Sequence, residues 1–178
     1  MVGLPEKFET PPITAWSFSR LQDYKKCARL AYYKHVKKLR ESESPALLNG
    51  QKVHYEAELF GLASPRKKVP ESLKSLEPFF RDIQKRKNVE VELEWTFNRE
   101  WVDLGDWFSK SAYCRIKVDV AFLDVPRNTL VVRDYKTGRY YPYHDDQLSL
   151  YGLGGLAAMP SVDAVEVAGL YTESGEMI

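Results

Sequence analysis

Cysteine is scarce in this chain: Cys27 and Cys114 are the two in 178 residues. Two thiols build no disulfide framework and are not spaced as a CxxC metal site, so a reducing compartment is expected. An excess of charge of one sign is also missing. With 26 Lys and Arg against 25 Asp and Glu, net +1, the chain is not a polycation that grips nucleic acid through bulk charge, and an anionic partner must be met by a local patch. There is no run of about 18 apolar residues to span a membrane. The N-terminus lacks the basic-then-apolar pattern of a signal peptide. The reading is a cytoplasmic protein, or one of a host cytoplasm if viral, with no membrane partner. GxxxxGK, HExxH, GxSxG and paired-cysteine zinc patterns are absent, and GLGGLAAM has glycines without the lysine of a phosphate loop.

What is present centres on one hairpin. AYCRIKVDVAFLD, VPRN and TLVVRDYK, residues 112–136, give two β-branched and aromatic arms around a Pro/Asn turn. In the first arm Cys114, Ile116, Val118, Val120 and Phe122 alternate with Arg115, Lys117, Asp119 and Ala121. A turn centred between Pro126 and Arg127 pairs each position i with 253 − i, which sets Asp119 across from Asp134. Facing Cβ atoms in such a pair are about 4.5–5.5 Å apart, where like charges repel unless offset. A divalent cation is the natural offset, with the Lys136 ammonium beside it. A half-exposed hairpin with a solvated charged face would give the same pattern.

Length fits one domain with a core of its own. Residues 1–13, with three prolines, read as an extended lead-in. Ser19 and Gln22 have capping-box spacing, and Leu21, Tyr24, Ala28, Ala31 and Tyr32 recur at helical intervals to about residue 36. Arg20, Lys25, Lys26, Arg29 and Lys34, continued by Lys37, Lys38 and Arg40, form a basic stripe. A second helix is expected over about 46–62 with Leu47, Gly50, Val53, Ala57 and Phe60 inward and His54 on a neighbouring line. A short third helix carries Leu73, Leu76, Phe80 and Ile83. VEVELEWTF alternates as a strand with an acidic face, Glu90, Glu92 and Glu94. Beyond Lys136, RYYPY (139–143) is an aromatic and basic connector leading to a helix near Tyr143. Asp145 and Asp146 suit that helix's first turn, Leu148, Gly152, Leu153 and Leu156 point inward, and Gln147 and Tyr151 share a line with His144. VDAVEVAGLYT reads as a buried strand, and after Ser174 and Gly175 another strand begins as the sequence stops at Ile178, at a natural or a truncated end.

The order GQKVHYEAE, ELEW, KVDVAF, RDYKTG, DDQLSLYG, together with SFSRLQDYKKCARLAYYKHV ahead of it, resembles the RecB-like exonuclease branch of the PD-(D/E)XK nuclease superfamily. The resemblance runs over residues 13–172 and implies an α/β fold, a restriction-endonuclease-like core with a mixed β-sheet flanked by helices, as a single nuclease domain over 1–178. It implies a Mg2+- or Mn2+-dependent DNA nuclease, an exonuclease of recombination, repair or phage DNA processing. Asp119, Asp134, Lys136, Gln147 and Tyr151 would be catalytic, and His54, Asp119, Asp134 and the Tyr135 carbonyl would hold the metal. Glu94 could reach it from the acidic strand. Arg20, Lys25, Lys26, Arg29, Arg139 and Tyr140 are the candidates for contact with DNA, taken as linear or single-stranded ends. Relatives that hold an iron–sulfur cluster use four cysteines. This chain has two, so no cluster is expected, and Cys27 reads as a small buried residue. With no ATP-binding motif, unwinding would fall to a helicase or recombination partner. Competing readings are a non-catalytic DNA-binding or assembly module on the same fold and a structure-specific endonuclease.

Overall fold

The computed structural model describes residues 13–39, 42 and 44–178. The lead-in read over residues 1–13 lies, except for Ile13, outside them, as does Arg40 of the basic stripe. The chain divides into two compact units, Met1–Ser42 with Thr96–Arg115, and Glu43–Trp95 with Ile116–Ile178.

In the first unit, helix α1 (Phe18–Lys26) starts two residues earlier than the capping-box spacing suggests. Ser17 is its N-cap, with Oγ accepting the Arg20 N–H at 3.4 Å. The single helix expected to residue 36 is broken at Cys27, whose backbone is extended (φ −167°, ψ 114°), and resumes as α2 (Ala28–Ala31) and a π-turn, Tyr32–Val36. Asp23 anchors the far end through His35 Nε2 at 2.8 Å and Lys34 Nζ at 3.0 Å. The break corrects two expectations. Cys27 is exposed rather than buried, and α1 buries none of its residues, leaving Leu21 and Tyr24 at the surface. In the 98–111 segment Trp101 packs on Phe97 at 5.3 Å between ring centroids, the Arg115 guanidinium lies over Trp107, and Phe108 is exposed.

The second unit carries α3 (Pro45–Gly61), a 3-10 turn (Glu71–Leu76) and α4 (Glu77–Ile83). The sheet follows in the order β1 (Val89–Phe97), β2 (Cys114–Asp124), β3 (Thr129–Lys136), β4 (Ala164–Tyr171). β2 and β3 are antiparallel, β3 and β4 parallel across helix α5 (Tyr143–Ala158), so the sheet is mixed. Val53, Ala57 and Phe60 of α3, with Leu73, Leu76, Phe80 and Ile83, bury against Val120, Phe122, Val131, Tyr135 and Leu170. Leu47, expected inward, is exposed, six residues before the first buried position of α3, Val53. α5 packs on the sheet through His144, Leu148, Tyr151, Gly154 and Gly155. Leu153 and Leu156, expected inward, face solvent. The backbone wins over leucine here because α5 lies so close that a Cβ on Gly154 would sit 2.6 Å from Ile116 Cδ1 and 3.2 Å from the Trp95 ring. After β4, Leu170 bridges Met177, so the last residues pair antiparallel to it.

The hairpin register is i + j = 253, from Asp124↔Thr129 to Val120↔Arg133. The turn is a 3-10 step, Val125–Arg127, closed by Asn128 in the left-handed region (φ 43°), a residue type that tolerates it. The ladder stops one pair short of Asp119 and Asp134. In the same stretch β2 changes face: Ile116 lies under α5, whereas Val120 and Phe122, also even-numbered, join the core with α3. One extra residue between them, as in a β-bulge, accounts for both facts. β3 is buried along nearly its whole length. Its Arg133 is accommodated by donating to the Val132 and Glu166 carbonyls and pairing with the Glu166 carboxylate.

Candidate active site

A cavity of about 660 Å³ in the second unit is lined by α3, β1, β2, β3 and α5. Where the ladder ends, the Asp119 carboxylate takes over the pairing: Oδ2 accepts the Tyr135 N–H at 2.6 Å and Oδ1 lies 3.1 Å from His54 Nδ1. The local slip in β2 is what frees that N–H from the ladder. Asp134, on β3, is almost fully buried. Its Oδ1 accepts Tyr151 Oη at 2.9 Å and Gln147 Nε2 at 3.4 Å, both from α5. Its Oδ2 lies 2.5 Å from Lys136 Nζ, but off the direction a hydrogen bond needs, so this buried oxygen accepts none. Lys136 Nζ donates instead to Gln147 Oε1 at 2.5 Å, and Gln147 Nε2 donates to Tyr151 Oη at 2.6 Å. Asp134, Lys136, Gln147 and Tyr151 thus form one closed network. It depends on residues one turn apart on α5 facing residues two apart on β3.

Electrostatics single out the carboxylates. Burial, then the charge of Asp134, pushes the Asp119 carboxyl above the usual carboxylate range, against the opposing pull of His54 and the Tyr135 N–H. For His54, burial works against the charged form. The hydrogen bond to Asp119 and the fields of Asp119, Asp134 and Glu92 outweigh it and raise the imidazole above its ordinary value. Burial and the charges of Asp134 and Asp119 also hold the Tyr151 phenol protonated, as a hydrogen-bond donor. The two carboxylates lie within each other's field, which is costly unless positive charge offsets it.

The donor set fits a hard divalent ion. Two carboxylates, one with a buried oxygen that accepts no hydrogen bond, and an adjacent imidazole leave positions for water. Among the described residues no three His, Cys, Asp or Glu side chains converge closely enough to enclose an ion by themselves. Asp119 is turned to His54 and Tyr135, and Asp134 to α5 and Lys136.

The structure thus brings His54, Asp119, Asp134, Tyr135, Lys136, Gln147 and Tyr151 together in the second unit. Glu94 does not line the cavity, and the acidic side chain of β1 that does is Glu92. Its backbone is left-handed (φ 53°), which breaks the alternation that would have grouped it with Glu90 and Glu94. Nothing in VEVELEWTF signals this, since glutamate is not a residue that favours positive φ. Glu58 and Lys117 also line the cavity, with Lys117 Nζ 2.5 Å from Glu92 Oε2. Arg139 and Tyr140 are exposed just beyond β3. Arg139 lies over the Tyr141 ring, and Tyr140 donates to Asp145 at 2.6 Å. Arg20, Lys25, Lys26 and Arg29 belong to the first unit, the last three exposed and Arg20 half-buried, with its guanidinium on the Ala15 carbonyl.

Residues 15–173 match the model of the PD-(D/E)XK nuclease superfamily, and the chain belongs to that superfamily. Its members are typically metal-dependent nucleases. No curated protein matches the chain. Among the described residues no helix is long and apolar enough to cross a membrane.

Proposed function

We propose that the chain is a deoxyribonuclease of the RecB-like branch, an exonuclease acting on linear or single-stranded DNA ends, with both compact units forming one nuclease domain. The observation that carries the reading is the Asp134 network, in which one carboxylate oxygen is held by Tyr151 and Gln147 while the other, buried and without a hydrogen bond, faces the Lys136 ammonium.

Asp119 and Asp134 would hold magnesium or manganese, with His54 and the Tyr135 carbonyl completing the set. Bound there, the ion would supply positive charge to the phosphoryl oxygens and lower the pKa of a bound water. The chain's own residues do the rest. Gln147, accepting from Nζ at 2.5 Å, fixes the ammonium of Lys136 beside the scissile phosphate. There Lys136 orients the attacking water and offsets charge that builds in the transition state. Tyr151 and Gln147 keep the Asp134 carboxylate from rotating. Arg139 and Tyr140, exposed beyond β3, would contact the DNA backbone and an unpaired base. The work would be recombination, repair or phage DNA processing in a cytoplasm, beside a helicase or recombination protein, since the sequence has no phosphate loop of its own.

The test is digestion of end-labelled linear DNA with magnesium, manganese or EDTA by the parent, Asp119→Ala and Lys136→Ala. The parent should cleave only with metal, and both variants should lose at least about a hundredfold, in keeping with removal of a positioned catalytic group. Undiminished cleavage by both sinks the assignment. A closed circle cut as fast as the linear form would move the enzyme from exonuclease to endonuclease.

A further inference from the structure

The near-zero net charge conceals a separation. The first unit, Met1–Ser42 with Thr96–Arg115, has 12 Lys and Arg against 7 Asp and Glu, a net +5, whereas the second has 14 against 18, a net −4. The acidic unit holds the active-site carboxylates. Left to itself, it would repel a polyanion outside the immediate reach of Lys136 and a bound ion.

The basic unit also has a groove of about 410 Å³, lined by Ile13, Trp16, Arg20, Leu21, Tyr24 and Tyr113. It explains the misplaced face of α1: Leu21 and Tyr24, apolar at helical spacing, are exposed because they wall this groove instead of filling a core. Trp16 and Tyr113 stand edge to face with ring centroids 6.2 Å apart. Arg20 forms part of the wall, so a guanidinium stands at one edge of an aromatic surface. Lys25, Lys26 and Arg29, all exposed, continue the charge along α1 and α2.

Flat aromatic faces beside cations suit one chemistry in particular, an unpaired base with its phosphate. In a duplex the base faces are stacked and hidden, so such a groove offers little to double-stranded DNA beyond its charge. We infer that the first unit is a single-strand binding unit, in which a base of an unpaired DNA strand seats against Trp16, Tyr24 and Tyr113 and the adjoining phosphates meet Arg20 and the α1–α2 cations. This rests on the reading that DNA is the substrate and adds which form of it is held, and by which part of the chain.

The experiment is fluorescence anisotropy of the full-length protein with labelled dT12 and with a 12-base-pair duplex, in EDTA so that nothing is cleaved. Tyr24 is well exposed, so its variants test the groove without risk to the fold, which circular dichroism checks. Binding of dT12 should be at least about tenfold tighter than of the duplex, Tyr24→Ala should weaken it about tenfold and Tyr24→Phe less than about twofold, since phenylalanine keeps the stacking face. Arg20→Gln should flatten the dependence of log affinity on log salt by about 0.7, one phosphate of a single strand. Equal affinity for the duplex, or a Tyr24→Ala variant that binds dT12 as the parent does, overturns the inference. Lys136→Ala separates the two claims. If Lys136→Ala abolishes cleavage while the Tyr24→Ala variant binds normally, the groove proposal alone falls. If Lys136→Ala and Asp119→Ala both cleave like the parent, the active-site assignment falls whatever the groove binds.

Discussion

Substituting glycines in α5 tests how tightly that helix must lie on the sheet for the active-site network to form. Gly152 and Gly154 are both in the helix interior, where alanine is favoured over glycine by about 1 kcal/mol. Their surroundings differ. A Cβ at Gly152 would sit 3.8 Å from Val167 Cγ1, an ordinary contact, so Gly152→Ala should stabilise by about 1 kcal/mol. A Cβ at Gly154 would sit 2.6 Å from Ile116 Cδ1 and 3.2 Å from Trp95 Cε3. The Ile116 methyl group can swing aside, but the buried indole beneath it cannot, and overpacking of this kind costs about 1–3 kcal/mol. The propensity gain offsets part of that, so Gly154→Ala should range from neutral to about 2 kcal/mol destabilising. The gap of about 1–3 kcal/mol between the two variants is the quantity to read from urea unfolding midpoints. Gly154 lies one turn from Tyr151, so lifting the helix should also lengthen the 2.9 Å contact with Asp134. Cleavage by Gly154→Ala should then fall by up to about a hundredfold even where the protein remains folded, the scale of loss expected for displacement of about 1 Å at a reacting centre. Equal stability and activity for the two variants would refute the claim that close approach of α5 is what builds the site.

Tyr151→Phe removes one donor from Asp134 Oδ1 and leaves Gln147 Nε2 on it; it should cost about 1 kcal/mol of stability and about 10–100-fold in metal affinity or turnover, read by denaturation and by metal titration. Manganese should stabilise the parent by about 2.7 kcal/mol at a hundred times Kd, read as a melting temperature that climbs with its concentration, and should leave Asp134→Asn unmoved; a shift of the same size in the variant would place the ion elsewhere. In metal-free protein, Asp119 and His54 both have folded-state values raised above their ordinary 3.8 and 6.5. Each therefore contributes stability that is complete below the ordinary value and declines as pH rises through the folded one. As pH rises above 3.8 the parent in EDTA should lose stability relative to Asp119→Asn, and urea midpoints that run parallel would contradict the sign.

The hairpin was legible because β-pairing is counted in whole residues: once the turn is located, 253 − i follows, and the observed pairs obey it. The departure at Asp119 was not legible, because a one-residue slip leaves the hydrophobic alternation of KVDVAF intact. It shows only when Ile116 is found under α5 and Phe122 under α3. The positive φ of Glu92 was invisible for a similar reason, since it is imposed by surroundings and not by a residue that seeks it. Helical spacing correctly marked Val53, Ala57 and Phe60 as core, but it misjudged Leu21, Tyr24, Leu153 and Leu156. Spacing reveals that a face is apolar; whether anything covers it depends on which neighbours come close, and on α5 the two adjacent glycines decided that in favour of the opposite side. Cys27 was misread because the break in its helix, an extended residue between two helical turns, has no glycine or proline to announce it.

The ammonium of Lys136 sits 2.5 Å from one Asp134 oxygen and donates to Gln147. It is a single positive charge, built into the polypeptide, held against the buried Asp134 carboxylate. A chelator should therefore leave the chain folded, unlike zinc fingers, whose folding and metal uptake are one event.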